Sequence, residues 1–183
     1  MRIVVSGTHA SGKSSLIDDF VRVNPEYEVL PDPFDALADQ ALEVDAGLFY
    51  SQLVIAADRL RGRRRGDRVI AERGPIDFLA YLHALRDLGR PSRSAGYIER
   101  GAVTTAQAMT SVDLLVLLPL QHRDPITVSA DEDRELRAAT DAALLDLVDD
   151  PDLMGSTRVV EVTGRPDERL ARLCAALSPP ESP

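Results

Sequence analysis

Lys13 is the only lysine in a chain of 183 residues whose 21 basic side chains are otherwise all arginine. It stands in Gly7-Thr8-His9-Ala10-Ser11-Gly12-Lys13-Ser14, two glycines with four residues between them and then Lys-Ser. This is the spacing of a phosphate-binding loop, or P-loop. Gly7 and Gly12 let the backbone curl so that successive N–H groups face phosphate oxygens in a concavity a Cβ would crowd. The helix that follows, opening with Ser14 and Ser15, adds its unpaired N–H groups and the positive end of its dipole. Lys13, read as exposed on the loop, supplies a point charge for the β- and γ-phosphates, and the Ser14 hydroxyl is placed to ligate Mg²⁺. His9 occupies a variable loop position and reads as facing solvent.

Transfer of a phosphoryl group needs more than this loop. It needs a base for the acceptor hydroxyl and cations around the transferred group. Asp32, in Pro31-Asp32-Pro33, is either that base or a turn residue between prolines. Glu72-Arg73 ends an apolar run, which puts a carboxylate near the metal and a guanidinium near the phosphates. A purely structural Arg73, paired with an acid, is the alternative. Replacing Asp32 by Asn is expected to separate base from turn residue, cutting turnover while sparing the melting temperature.

The elements that must position these groups follow from apolar periodicity. Runs near 2–6, 27–30, 68–72, 112–118 and 158–163 predict strands. Segments 14–21, 35–44, 48–60, 76–88, 98–109, 131–147 and 167–177 predict helices. Strands alternating with helices imply a parallel sheet covered on both faces, and ligands gather beyond the carboxyl ends of such strands. The expected architecture is a three-layer α/β P-loop NTPase fold with a five-stranded parallel sheet, one domain over 1–177 and a disordered tail over 178–183.

Composition narrows the class. A formal charge of −9 argues against general nucleic-acid binding. The basic cluster 59–68 reads as a solvated helix end. A lone Cys174 allows no internal disulfide, and its leucine neighbours make it a packing residue. With no leader-like N-terminus and no apolar run long enough to span a bilayer, the chain is expected to be cytoplasmic and without a membrane partner. Because no second lysine exists, no Asn-Lys-x-Asp guanine motif is possible.

Taken together, Asp32-Pro33, Gln52 seven residues before Arg59, and the Glu72-Arg73-Gly74 turn resemble the P-loop nucleoside kinases of the deoxynucleoside kinase type over residues 2–82. The resemblance implies ATP as donor with Mg²⁺ held by Ser14 and Glu72, and a nucleoside-like acceptor. It implies Asp32 as general base beside Lys13 and Arg73, with Gln52 bonding the nucleobase. Arg59 and Asp77 would flank the base edge, and Tyr81 or Phe78 would stack on it. Three positions depart from the pattern: aspartate replaces glutamate at 32, Gly74 replaces serine, and Asp77 lies one residue closer to the arginine. After the fourth strand, where related kinases carry a lid, Arg123 is favoured over Arg134 and Arg137 as the phosphate contact. The turn Thr163-Gly164-Arg165-Pro166 resembles an adenine-binding loop, which adds Arg165 to the nucleotide site. A homodimer is compatible with this reading. The competing readings are a kinase of another metabolite or an antibiotic, and a regulatory ATPase without an acceptor.

Overall fold

The computed structural model describes residues 1–34, 45–64, 66–90, 94–120 and 133–177. Five strands form one parallel sheet: β1 (Arg2–Ser6), β2 (Glu28–Leu30), β3 (Val69–Glu72), β4 (Leu114–Leu117) and β5 (Arg158–Glu161), in the order β2-β3-β1-β4-β5. The central strand β1 pairs with β3 on one side (Val5 with Glu72) and β4 on the other (Ser6 with Leu117). The chain thus reverses its direction of winding across the sheet at the strand that carries the phosphate-binding loop, where such folds place ligands. All five strands fall on the predicted runs.

Strand side chains alternate between two cores because successive Cβ atoms leave opposite faces. Val4, Leu115 and Leu117 enter the larger core, with α2 (Ala46–Arg61), α3 (Pro75–Asp87), α4 (Ser94–Met109), α5 (Arg134–Val148) and α6 (Pro151–Met154). Ile3, Val5, Leu114 and Val116 enter the smaller one, under α1 (Lys13–Val23) and α7 (Pro166–Ala175). The short α6 has no counterpart in the predicted elements, being a single turn that Pro151 opens and Asp150 caps by accepting from Asp152 N (2.9 Å). The predicted helix over 35–44 and the tail over 178–183 lie outside the described residues.

Helix starts explain themselves locally. Asp45 accepts from Leu48 N (2.8 Å) and Asp133 from Leu136 N (2.9 Å), each capping an orphan donor. The arginine cluster behaves as a helix end and turn: Arg61 pairs with Asp58, Arg63 with Glu28 and Arg68 with Glu26. Cys174 is partly buried in the smaller core, as its neighbours predict. Among the described residues, no helix is long and apolar enough to cross a membrane.

Candidate active site

The segment between β1 and α1 takes the conformation its glycines permit. A Cβ on Gly7 would stand 2.7 Å from both the Leu118 carbonyl oxygen and Ser11 Oγ, so nothing larger fits. Gly12 adopts φ 88 immediately before α1, a left-handed geometry that side chains disfavour. Ala10 is also left-handed, at φ 50, without glycine's exemption.

His9 through Leu16 line a cavity of about 680 Å³, together with Asp19, Asp32, Glu72, Arg73, Pro166 and Arg169. The sequence places the phosphate loop and three strand ends here, and the structure joins them in one space. Lys13 is 4% exposed rather than exposed on the loop. It donates to the Thr8 carbonyl at 2.7 Å. Burial, then the nearby Arg73 charge, lower its pKa from 10.5 to about 8. Ser14 Oγ donates to Glu72 Oε1 at 2.8 Å, and burial raises the Glu72 carboxyl despite that bond. A hydroxyl and a carboxylate oxygen side by side are hard oxygen donors of the kind Mg²⁺ takes, with phosphates and water completing its shell. The pair therefore fits such an ion.

Across the cavity, Arg73 Nε donates to Asp32 Oδ2 at 2.7 Å, with side chains 3% and 13% exposed. The other Asp32 oxygen accepts from Phe34 N at 3.0 Å. Asp32 thus closes the Pro-Asp-Pro turn and also lines the cavity. Arg73 also bonds the Tyr81 hydroxyl (3.1 Å) and lies over the Phe34 and Tyr81 rings at 5.4 and 5.5 Å. Its backbone is left-handed, φ 63, a strain of about 1–2 kcal/mol that the ion pair and hydrogen bonds hold in place. The Arg-Gly step has a steric reason: a Cβ on Gly74 would meet Val4 Cγ1 at 2.8 Å, inside a packed β-branched strand.

The predicted acceptor-site residues divide. Gln52 is fully buried, and neither of its amide atoms has a hydrogen-bond partner among the described residues. A solvent-facing helix glutamine is excluded. Arg59 donates to the Pro31 carbonyl (2.9 Å), tying α2 to the Asp32 turn. Asp77 is not on a base edge: it lies 1% exposed under the phosphate loop and accepts from Ser6 Oγ (2.7 Å), Gly7 N (2.9 Å) and Gly74 N (2.8 Å). Burial raises its pKa, opposed first by the Arg73 charge and then by those donors. One residue closer to the arginine, its side chain falls at the first turn of α3 and caps it.

Phe78 is fully buried against Phe34 (5.5 Å between ring centroids), so it offers no free face either. Tyr81 already stacks on Phe49 at 4.5 Å and 11°. The crevice bounded by Pro31, Pro33, Arg59 and Arg73 holds about 10 Å³, room for no more than a water. Arg165 is 72% exposed and pairs with Asp167 (3.3 Å) and Glu168 (3.7 Å); its neighbours Pro166 and Arg169 line the cavity instead. Arg123 lies outside the described residues.

Two residues brace the loop: Arg137, which the sequence offered only as a less favoured phosphate contact, and Arg169, which sequence reasoning missed. Arg137 of α5 donates to the carbonyls of His9 (2.8 Å) and Ala10 (3.1 Å). Arg169 of α7, 8% exposed, donates to Ser11 O (2.9 Å) and Gly164 O (2.7 Å). A signal existed for Arg169, an arginine four residues before the buried Leu173 and hence on the apolar face of a short helix.

No protein-family model and no curated protein matches this sequence. Solved structures do match in shape. Thymidylate kinase from Candida albicans superposes with a TM-score of 0.66 at 15% identity, over 96% of this chain and 90% of that one. Deoxyadenosine kinase from M. mycoides with bound dATP gives 0.68 at 11% identity, over 97% and 99%. Its complex with dCMP and dCDP gives 0.67 at 11%, over 97% and 98%. The chain has the fold of the P-loop nucleoside and nucleotide kinases. What is shared is the fold, since identity this low leaves side chains free to differ.

Proposed function

We propose that this protein is an ATP-dependent kinase that transfers the γ-phosphoryl group to a hydroxyl of a nucleoside or nucleotide. One observation carries the reading: Asp32, ion-paired to Arg73, lines the same cavity as Lys13 and the phosphate loop. A carboxylate so placed can take the proton of an acceptor hydroxyl; the same group acting on water would give hydrolysis, and the acceptor panel separates the two. In the reaction, the Asp32 carboxylate takes the acceptor proton as the acceptor oxygen bonds to the γ-phosphorus and the bond to the leaving ADP oxygen breaks. Lys13 and Arg73 offset the charge on the transferring oxygens. Ser14 and Glu72 would hold Mg²⁺, which supplies charge neutralisation between the β- and γ-phosphates. The nucleoside assignment rests on Gln52, whose buried, unpartnered amide is an unmet donor and acceptor pair of the kind that a base edge satisfies.

The test is ADP release from Mg-ATP with and without a panel of nucleosides and nucleoside monophosphates. Acceptor-dependent turnover with a phosphorylated product supports the proposal. Hydrolysis that no acceptor accelerates would establish an ATPase without an acceptor.

A further inference from the structure

Arg137 and Arg169 come from two different helices and act on three consecutive carbonyls of one loop. Arg137 Nε reaches His9 O at 2.8 Å and its Nη2 reaches Ala10 O at 3.1 Å; Arg169 Nη1 reaches Ser11 O at 2.9 Å. In a trans peptide the carbonyl of one residue and the N–H of the next point in opposite directions. Holding these carbonyls therefore fixes where the N–H groups of Ala10, Ser11 and Gly12 point, namely away from the guanidiniums. Arg137 stands outside the residues lining the cavity, and Arg169 is among them with its guanidinium engaged by Ser11 O and Gly164 O.

The middle of these residues needs the help. Ala10 is held at φ 50, a left-handed conformation in which an alanine is disfavoured, and Arg137 bonds its carbonyl. Arg169 does a second thing with the same side chain: its Nε holds Gly164 O at 2.7 Å in the turn before Pro166. One buried guanidinium thus sets the distance between the phosphate loop and the turn after β5.

We infer that Arg137 and Arg169 are positioning residues that orient the backbone N–H groups of the phosphate loop toward an anion without themselves touching it, and that Arg169 also fixes the spacing between the loop and the turn at Gly164. The inference rests on the phosphate-site reading above. It is distinct from a general attraction of cations for phosphate, because the fork geometry of arginine spans two carbonyls and a single ammonium does not.

The experiment measures binding of inorganic tripolyphosphate and of adenosine by calorimetry to the whole protein and to Arg137→Met, Arg137→Lys, Arg169→Met, Arg169→Lys and Lys13→Ala. Tripolyphosphate affinity is expected to fall roughly 10- to 100-fold in both methionine variants. The lysine variants, which keep the charge but not the fork, are expected to recover less than a third of that loss on a logarithmic scale. Adenosine binding is expected to weaken in the Arg169 variants and to stay at the wild-type level in the Arg137 variants. Full recovery by lysine, or unchanged tripolyphosphate affinity in the methionine variants, overturns the inference. Should the methionine variants fail to fold, the lysine variants decide it: a tenfold loss supports positioning, and wild-type affinity rejects it. If the wild type does not bind tripolyphosphate, or Lys13→Ala binds it equally well, the phosphate-site reading falls and this inference with it. Loss in Lys13→Ala with intact arginine variants removes this inference alone.

Discussion

Asp32 accepts from Arg73 in the interior, so neutralising the acid strands a cation there. Removing one partner of a buried pair costs about 3–5 kcal/mol, and in a chain of this length each kcal/mol moves the melting temperature by roughly 2–4 °C. Asp32→Asn is therefore expected to melt at least roughly 6 °C lower, contrary to the sequence-based expectation that it would be neutral to folding. Its kcat, measured below the onset of melting, is expected to drop by roughly 10²–10⁴-fold if the carboxylate is the base. Lys13 makes the opposite prediction. Burial holds its folded pKa at about 8, below the ordinary 10.5, so the charged form is a burden that the unfolded chain does not bear. Below pH 8 that burden is fully present, on the order of 3 kcal/mol; it fades as pH rises from 8 to 10.5, above which both states become neutral. Lys13→Met is expected to raise the melting temperature of the unliganded protein at pH 7, to lose that advantage by pH 10.5, and to bind no ATP. A wild-type and variant difference that is flat in pH would show that Lys13 is not desolvated. Gln52→Leu removes two unpartnered polar atoms from the interior and is expected to stabilise by about 1–3 kcal/mol while acceptor KM rises; denaturant melts and initial rates check the two halves separately.

The elements explain which of these residues were legible in advance. The strands and the loop after β1 follow from apolar runs and one octamer, patterns that local sequence carries in full. Asp32, Glu72 and Arg73 were found because the ends of parallel strands converge by construction. Asp77 was misplaced because sequence spacing gives a residue's turn of the helix but not what the helix start is tucked beneath, here the phosphate loop. Arg169 and the bracing role of Arg137 escaped for a related reason: each acts on backbone carbonyls far away in sequence, and a carbonyl has no residue type to pair with. Helix packing offers its own test at Gly101 of α4, where a Cβ would stand 3.0 Å from Leu53 Cδ1 of α2 and 3.3 Å from Leu79 Cδ1 of α3. Gly101→Leu wedges these three helices apart and is expected to cost about 1–3 kcal/mol in a chemical-denaturant melt. None of Gly101, Leu53 and Leu79 lines the cavity, so ATP KM should stay within about twofold.

At the scale of the whole molecule, the central strand β1 pairs with β3 and β4, neither of them next to it in strand order, and even the consecutive pairs β2–β3 and β4–β5 join residues about 40 positions apart, as Leu30 with Ala71 and Leu117 with Glu161 show. Such non-local pairing makes folding slow, since loops must close before contacts reward them. The same layout has a consequence for biosynthesis. Ser11 and the guanidinium that braces it are separated by 158 positions, an interval that a ribosome takes roughly 8–30 s to traverse. The octamer is translated well before α7, yet it waits for that helix before Ser11 is braced. A nascent chain is therefore expected to pass that interval with a loop unready for nucleotide, and ligand capture to follow the emergence of α7.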